Sequence, residues 1–240
     1  MAYDLSDKVV VVTGAAGNVG GGVVRAFADT GARIALVDVR AERIAGRIEE
    51  LGGDTERFKG FPADLDTPEA VDNLINHIID HFVQIDSLVH TVGGFAMGDP
   101  VHAGNLDVFD RMMNLNARIL YLVCGRFASY MVETATPGSI TAMLARSGQK
   151  GSKNQAAYTA SKAAATRIIE SMALELRDHK IRVNGVSPSI IDTPPNRDSM
   201  PNAEFDKWVT ADEVGNLMVF LASDAASAIY GANIEISGRS

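Results

Sequence analysis

Tyr158 and Lys162 stand four residues apart in QAAYTASKAAATRIIE, a stretch patterned at helical period. Residues at that spacing share one helix face. A phenol titrates near pH 10 in water, and an ammonium beside it favours the tyrosinate, so the pair can give a substrate a proton or take one back. The same spacing also suits an ordinary, partly exposed surface pair, so its meaning depends on what surrounds it. A second feature lies near the start of the chain. TGAAGNVG, from Thr13 to Gly20, separates the short β-branched run KVVVVT from an Ala/Val/Phe pattern that begins at Val19. Small residues at such a junction let a pyrophosphate approach a helix N-terminus. Gly14, Gly17 and Gly20 do not follow the strict G-x-G-x-x-G order, and a plain tight turn explains glycines equally well.

Asp38 adds a third feature, at the end of the next β-like run, ARIALVD. A carboxylate in that position accepts both hydroxyls of an adenosine ribose and repels a 2′-phosphate, which favours NAD. Arg40, two residues further, suits a 2′-phosphate and leaves NADP open. Asp64 is placed to accept from an adenine amino group, or to complement the start of the helix opened by Thr67-Pro68.

These residues need elements to position them. Strand candidates lie at 8–13, 32–38, 57–60, 87–91, 139–144, 182–186 and 233–236, alternating with helical stretches at 19–28, 41–51, 67–82, 106–132, 155–178 and 211–221. Strand cores that are apolar almost throughout, alternating with helices, indicate a parallel sheet covered on both faces. The expectation is one α/β domain over residues 1–240. The segment from Ser187 to Val209, with prolines at 188, 194, 195 and 201, fits neither helix nor strand and reads as a substrate loop at a strand's carboxyl end.

Composition narrows the partners. Of 240 residues, 22 are Lys or Arg and 30 are Asp or Glu, a net charge of −8 that disfavours nucleic acid and anionic membranes and points to a small-molecule substrate. Cys124 is the single cysteine, which excludes an intrachain disulfide and a cysteine-built metal site. MAYDLSDK carries no signal-peptide pattern, and a cytoplasmic protein is expected. His77 and His81 share a helix face but have only Asp80 close in sequence, so no metal is expected. The methionines at 112, 113, 131, 143 and 172 read as core.

With TGAAGNVG, Asp38 and YTASK in this order, the chain resembles the short-chain dehydrogenase/reductase family over essentially its whole length. The resemblance implies a single doubly wound Rossmann domain, an α/β fold with about seven parallel strands and helices on both faces. It implies a general acid/base role for Tyr158 and a nicotinamide-ribose contact for Lys162. DRMMNLNAR resembles the segment carrying a relay asparagine, which falls on Asn116 with Asn114 as the alternative register. In the glycine loop the implied cofactor contacts are Gly14, Gly17, Asn18 and Val19, followed by Asp38, Asp64, Leu65 and Gly93. RVNGVSP resembles the strand and turn beside the nicotinamide, matching at Asn184 and Pro188, with Ile191 and Thr193 following. The helices at 106–132 and 155–178 resemble those that pair subunits, which implies a homodimer or homotetramer.

Three departures stand out. Asn18 occupies the place of the second glycine in the commonest loop. His90-Thr91-Val92-Gly93 replaces Asn-Asn-Ala-Gly; His90 could face a ligand, but a histidine after an apolar run reads as structural. The serine that polarises the substrate carbonyl lies 13 residues before the tyrosine in the family's common form, which lands on Ala145. Ser147 is the nearest substitute hydroxyl, and Arg146 suits an anionic substrate group; both also read as ordinary loop residues. The dihydropteridine reductase branch is similar in lacking this serine. The expected function is NAD(H)-dependent hydride transfer on a small carbonyl or alcohol, against a pterin- or imine-type reductase or a non-catalytic NAD-binding pseudoenzyme.

Overall fold

The computed structural model describes residues 3–239. The strands are β1 Val9–Thr13, β2 Arg33–Asp38, β3 Phe58–Pro62, β4 Ser87–His90, β5 Gly138–Met143, β6 Ile181–Pro188 and β7 Asn233–Ile236. They form one parallel sheet in the order β3-β2-β1-β4-β5-β6-β7. Around it lie α1 Asn18–Ala28, α2 Ala41–Glu50, α3 Pro68–Phe82, α4 Leu106–Met113, α5 Ile119–Glu133, α6 Ala156–Leu176, α7 Pro194–Ser199 and α8 Ala211–Ala222.

The valine run of β1 shows why the sheet is buried on both sides. Successive side chains point to opposite faces. Val9 and Val11 join a core with Ile78 of α3, Phe127 of α5 and Ile169 of α6. Val10 and Val12 join the other core, with Phe27 of α1, Ile44 of α2 and Met218 of α8. Apolar residues on both faces therefore serve two helical layers, as the continuous hydrophobic run requires. Thr67 caps α3, its Oγ1 accepting from Ala70 N at 3.2 Å, and Pro68 fills the first turn.

Two expectations about elements are corrected. The stretch 106–132 is not one helix: a π-helical turn at Asn114–Arg118 separates α4 from α5. The wider turn rotates Asn116 inward, a local effect that helical periodicity does not record. The segment 187–209 is more ordered than its prolines suggest. β6 continues to Pro188, Pro194 and Pro195 start α7, and a 3₁₀ turn forms at Phe205–Lys207. Proline in a first helical turn lacks only an N–H that would have no intrahelical acceptor, so it starts a helix as readily as it ends one.

Candidate active site

From β1 the chain turns to β2 on one side, while β4 lies on the other side of β1. A crevice opens at the carboxyl ends of two strands where connections diverge in this way. The turns after β1, β4, β5 and β6 all lie along that edge of the parallel sheet.

The glycine loop lines one part of it. Gly14 has φ +72°, and a Cβ there would lie 2.9 Å from Thr91 Oγ1 and 3.2 Å from Val92 N, so both conformation and space demand glycine. A Cβ at Gly20 would lie 2.0 Å from the Gly14 carbonyl oxygen. Gly17 is the N-cap of α1; no side chain caps that end and no acidic residue occupies its first turn, leaving N–H groups for an anionic ligand. Asn18 begins the helix exposed and Val19 follows half-buried, so replacing the second glycine takes no room from the loop.

Asp38, half-buried at the end of β2, accepts from Ala16 N at 3.2 Å through Oδ2 and is thereby fixed to the glycine loop. Arg40 is exposed at the N-cap of α2. Asp64 is exposed just beyond β3, while the side chain of Leu65 is buried in the core below.

Tyr158, Lys162 and Asn116 converge beside the turn after β4. Lys162 is 5% exposed and its Nζ donates to the Met143 carbonyl at 3.1 Å. Asn116 Oδ1 accepts from Gly94 N at 2.9 Å, and its Nδ2 donates to the Gly94 carbonyl and to Ser161 Oγ, both at 3.0 Å. A Cβ at Gly93 would lie 2.9 Å from Asn116 Oδ1 and 3.2 Å from Lys162 Nζ, so glycine keeps this space open. Asn114 leans the other way, its Nδ2 3.5 Å from Asp66 Oδ1. The structure thus brings Asn116, not Asn114, to the tyrosine and lysine.

The electrostatics differ from the sequence expectation. Burial pushes the Tyr158 phenol up to about 12, rather than a neighbouring ammonium pulling it down. Burial also lowers Lys162 to about 8. Taking a phenolate out of water costs more here than the lysine returns, and the ammonium is already engaged by Met143. Tyr158 therefore keeps its phenolic proton in this state. Its half-buried ring meets Phe95 edge-on, with centroids 4.9 Å apart.

Ala145 is buried and extended, at the start of a 3₁₀ turn spanning Arg146–Gln149, and its carbonyl accepts from Gly148 N at 2.9 Å. Ser147 is half-buried within that turn; Arg146 is exposed and its Nη1 donates to Ser237 Oγ at 3.3 Å. After β6, Pro188 is buried at the strand's last position, Ile191 bridges to Val209, and Thr193 is buried at the N-cap of α7. Asn184 lies deeper, fastening Ile229 and Ala232 to β6 through its amide. His77 and His81 are both exposed on α3.

Phe95, Ser161, Gly94 and the Met143 carbonyl complete the surroundings, and sequence reasoning missed them. Ser161, directly before Lys162, could have been noticed. Backbone groups carry no residue signature. The cradle left by Gly14 and Gly93, the uncapped α1 terminus and Asp38 together fit a nicotinamide dinucleotide.

The family model described as enoyl-(acyl carrier protein) reductase matches residues 14–238. D-Threitol dehydrogenase of Mycolicibacterium smegmatis is 31% identical, over 98% of this chain and 94% of its own length. Galactitol 2-dehydrogenase of Agrobacterium fabrum is 27% identical, over 98% and 97%. The crystal structure of an NAD⁺-bound xylitol dehydrogenase has the same fold, with a TM-score of 0.89 at 24% identity over 99% and 100%. Among the described residues no helix is long and apolar enough to cross a membrane. Since the family match runs from the glycine turn after β1 to beyond the last strand, the chain belongs to the short-chain dehydrogenase/reductases, Rossmann-fold oxidoreductases that take a nicotinamide cofactor.

Proposed function

We propose that this protein is an NAD-dependent oxidoreductase of a small carbonyl or alcohol substrate, with Tyr158 as its general acid and base. The observation that carries this reading is the convergence of Lys162 and Asn116 on the space kept open by Gly93, with the Tyr158 ring against Phe95 of the same turn. When bound, the nicotinamide group supplies or removes hydride. The chain's own residues do the rest. Tyr158, held neutral by burial, gives its hydroxyl proton to the substrate oxygen in reduction and recovers one in oxidation. Lys162 offers the N–H donors left over from Met143 to the nicotinamide ribose, and its charge steadies the tyrosinate left by proton transfer. Asn116 anchors Gly94, and with it the turn after β4.

Gly14, Gly17, Asn18 and Val19 would hold the pyrophosphate, and Asp38 the adenosine ribose. That carboxylate supports NAD, while exposed Arg40 lies outside the loop that Asp38 anchors. Asp64 and Leu65 would flank the adenine; Pro188, Ile191 and Thr193 would border the nicotinamide. We read residues 1–240 as one catalytic unit, with 187–209 as its substrate loop and a homodimer or homotetramer as its assembly.

Ala145 favours a second reading, because no hydroxyl at that position polarises a carbonyl. One lost donor of this kind costs about 10² to 10³ in rate. A pterin- or imine-type substrate depends less on that donor, and a cofactor-binding pseudoenzyme does without it. The test follows NADH absorbance over polyol, ketone, imine and quinonoid pterin panels. Turnover should fall at least about 10²-fold in Tyr158→Phe. Turnover that survives this substitution sinks the mechanism, and NADH binding without turnover, unimproved in Ala145→Ser, identifies the pseudoenzyme.

A further inference from the structure

His90 ends β4 fully buried, and the chemistry above makes no use of it. Its Nδ1 lies 2.9 Å from Oγ1 of Thr13, the residue directly across on β1. Nε2 is equally buried and has no protein partner, an expensive condition for a polar nitrogen. On the other side His90 pairs with Ala142 of β5, and the next residue, Met143, offers the carbonyl that receives Lys162 Nζ. Strand alternation puts His90 on the face of Leu88, which packs beneath α5 and α6. Gly93, a few residues further along, comes so close that a Cβ would lie 3.2 Å from Nζ. The ammonium has three N–H donors, and Met143 engages one.

We propose that His90 is a positioning residue for Lys162, in which Nδ1–H donates to Thr13 Oγ1 and the Nε2 lone pair serves the lysine ammonium through one water. The inference rests on the reading of Lys162 as part of the catalytic set. The opposite tautomer would present an N–H, not an acceptor, to the neighbourhood of a buried cation. A lone pair there stabilises the charged lysine and limits its side chain to the position between Met143 and the turn after β4.

The ring can hold this role because it stays neutral: burial, reinforced by the Lys162 charge, pulls it down to about 3. The other buried titratable groups on the helices over this face are Tyr158 on α6 and Cys124 on α5, both pushed up to about 12 and so uncharged in the same range. Tyr121, Arg126, Tyr130 and Glu133 on α5 are the remaining titratable side chains of that helix; Tyr121, Arg126 and Glu133 are exposed, and Tyr130 lies half-buried near its far end.

The test needs no turnover. Long-range ¹⁵N–¹H NMR of the free protein should show His90 Nε2 unprotonated at neutral pH. In protein labelled at lysine Cε, with Lys162→Met used for assignment, Lys162 should bind its proton about tenfold less tightly in His90→Leu than in wild type. His90→Gln, which restores an acceptor near Nε2, should recover most of that loss. A protonated Nε2 overturns the proposal, as does an unmoved Lys162 midpoint in folded His90→Leu. Should His90→Leu not fold, the tautomer and the His90→Gln midpoint decide. Failure of the functional reading would show separately, as wild-type protein that neither binds NADH nor turns over.

Discussion

At the scale of single residues, burial governs the titrating groups near the site. Tyr158 and Lys162 are both displaced towards their neutral forms, which keeps the proton on the phenol until chemistry creates a partner for the charge. Cys124 shows the same effect away from that site. It lies fully buried on the inner face of α5, and its thiol is pushed up to about 12. Thiol reactivity belongs to the thiolate, so Cys124 should resist an aromatic disulfide reagent at pH 8 and react fully only after denaturant is added. Prompt labelling of native protein would contradict the buried placement.

At the scale of elements, close helix contact is set by glycines. α1 and α8 cross where a Cβ on Gly22 would lie 2.5 Å from both the carbonyl carbon and the Cβ of Ala211. Alanine in a helix interior is intrinsically favoured over glycine by about 1 kcal/mol. Overpacking typically costs about 1–3 kcal/mol, and backbone atoms cannot move aside as a side-chain tip can. Gly22→Ala should therefore destabilise the protein despite its better propensity, lowering Tm by several degrees in a thermal melt. An unchanged or raised Tm would mean that the two helices separate without penalty. The π-turn between α4 and α5 belongs to this scale too, because it carries Asn116, whose amide bonds to Gly94 and Ser161.

At the scale of the whole molecule, buried bases tie stability to pH. Between about 3 and 6.5 the unfolded chain protonates His90 while the folded chain does not, so this group's contribution to stability rises with pH across that window. Between about 8 and 10.5 Lys162 acts in the same direction, since the folded protein releases its proton first. Urea midpoints measured from pH 4 to 7 should climb with pH, and His90→Gln should flatten the climb by at most about 1.4 kcal/mol per pH unit. An identical slope in the variant would show that His90 titrates normally.

Periodicity and residue type were enough to read the sheet, its two covered faces, the glycine loop and the Tyr158/Lys162 pair. Each is a local signal: apolar runs on both strand faces, small residues at a turn, and two side chains one helical turn apart. Asp38 was legible in the same way, as a carboxylate at the end of the second β-like run, whereas Ala145 stood out only through the family resemblance, which implies a serine 13 residues before the tyrosine. The family resemblance already set the relay asparagine on Asn116 ahead of Asn114; the tertiary structure added its contacts with Gly94 and Ser161, the helix within 187–209 and the upward shift of Tyr158. It also decided that His90 lies across from Thr13 with one nitrogen unpartnered. The helix within 187–209 starts locally on Pro194 and Pro195, whereas the other features rest on desolvation and hydrogen bonding, which depend on what the fold brings from distant parts of the chain.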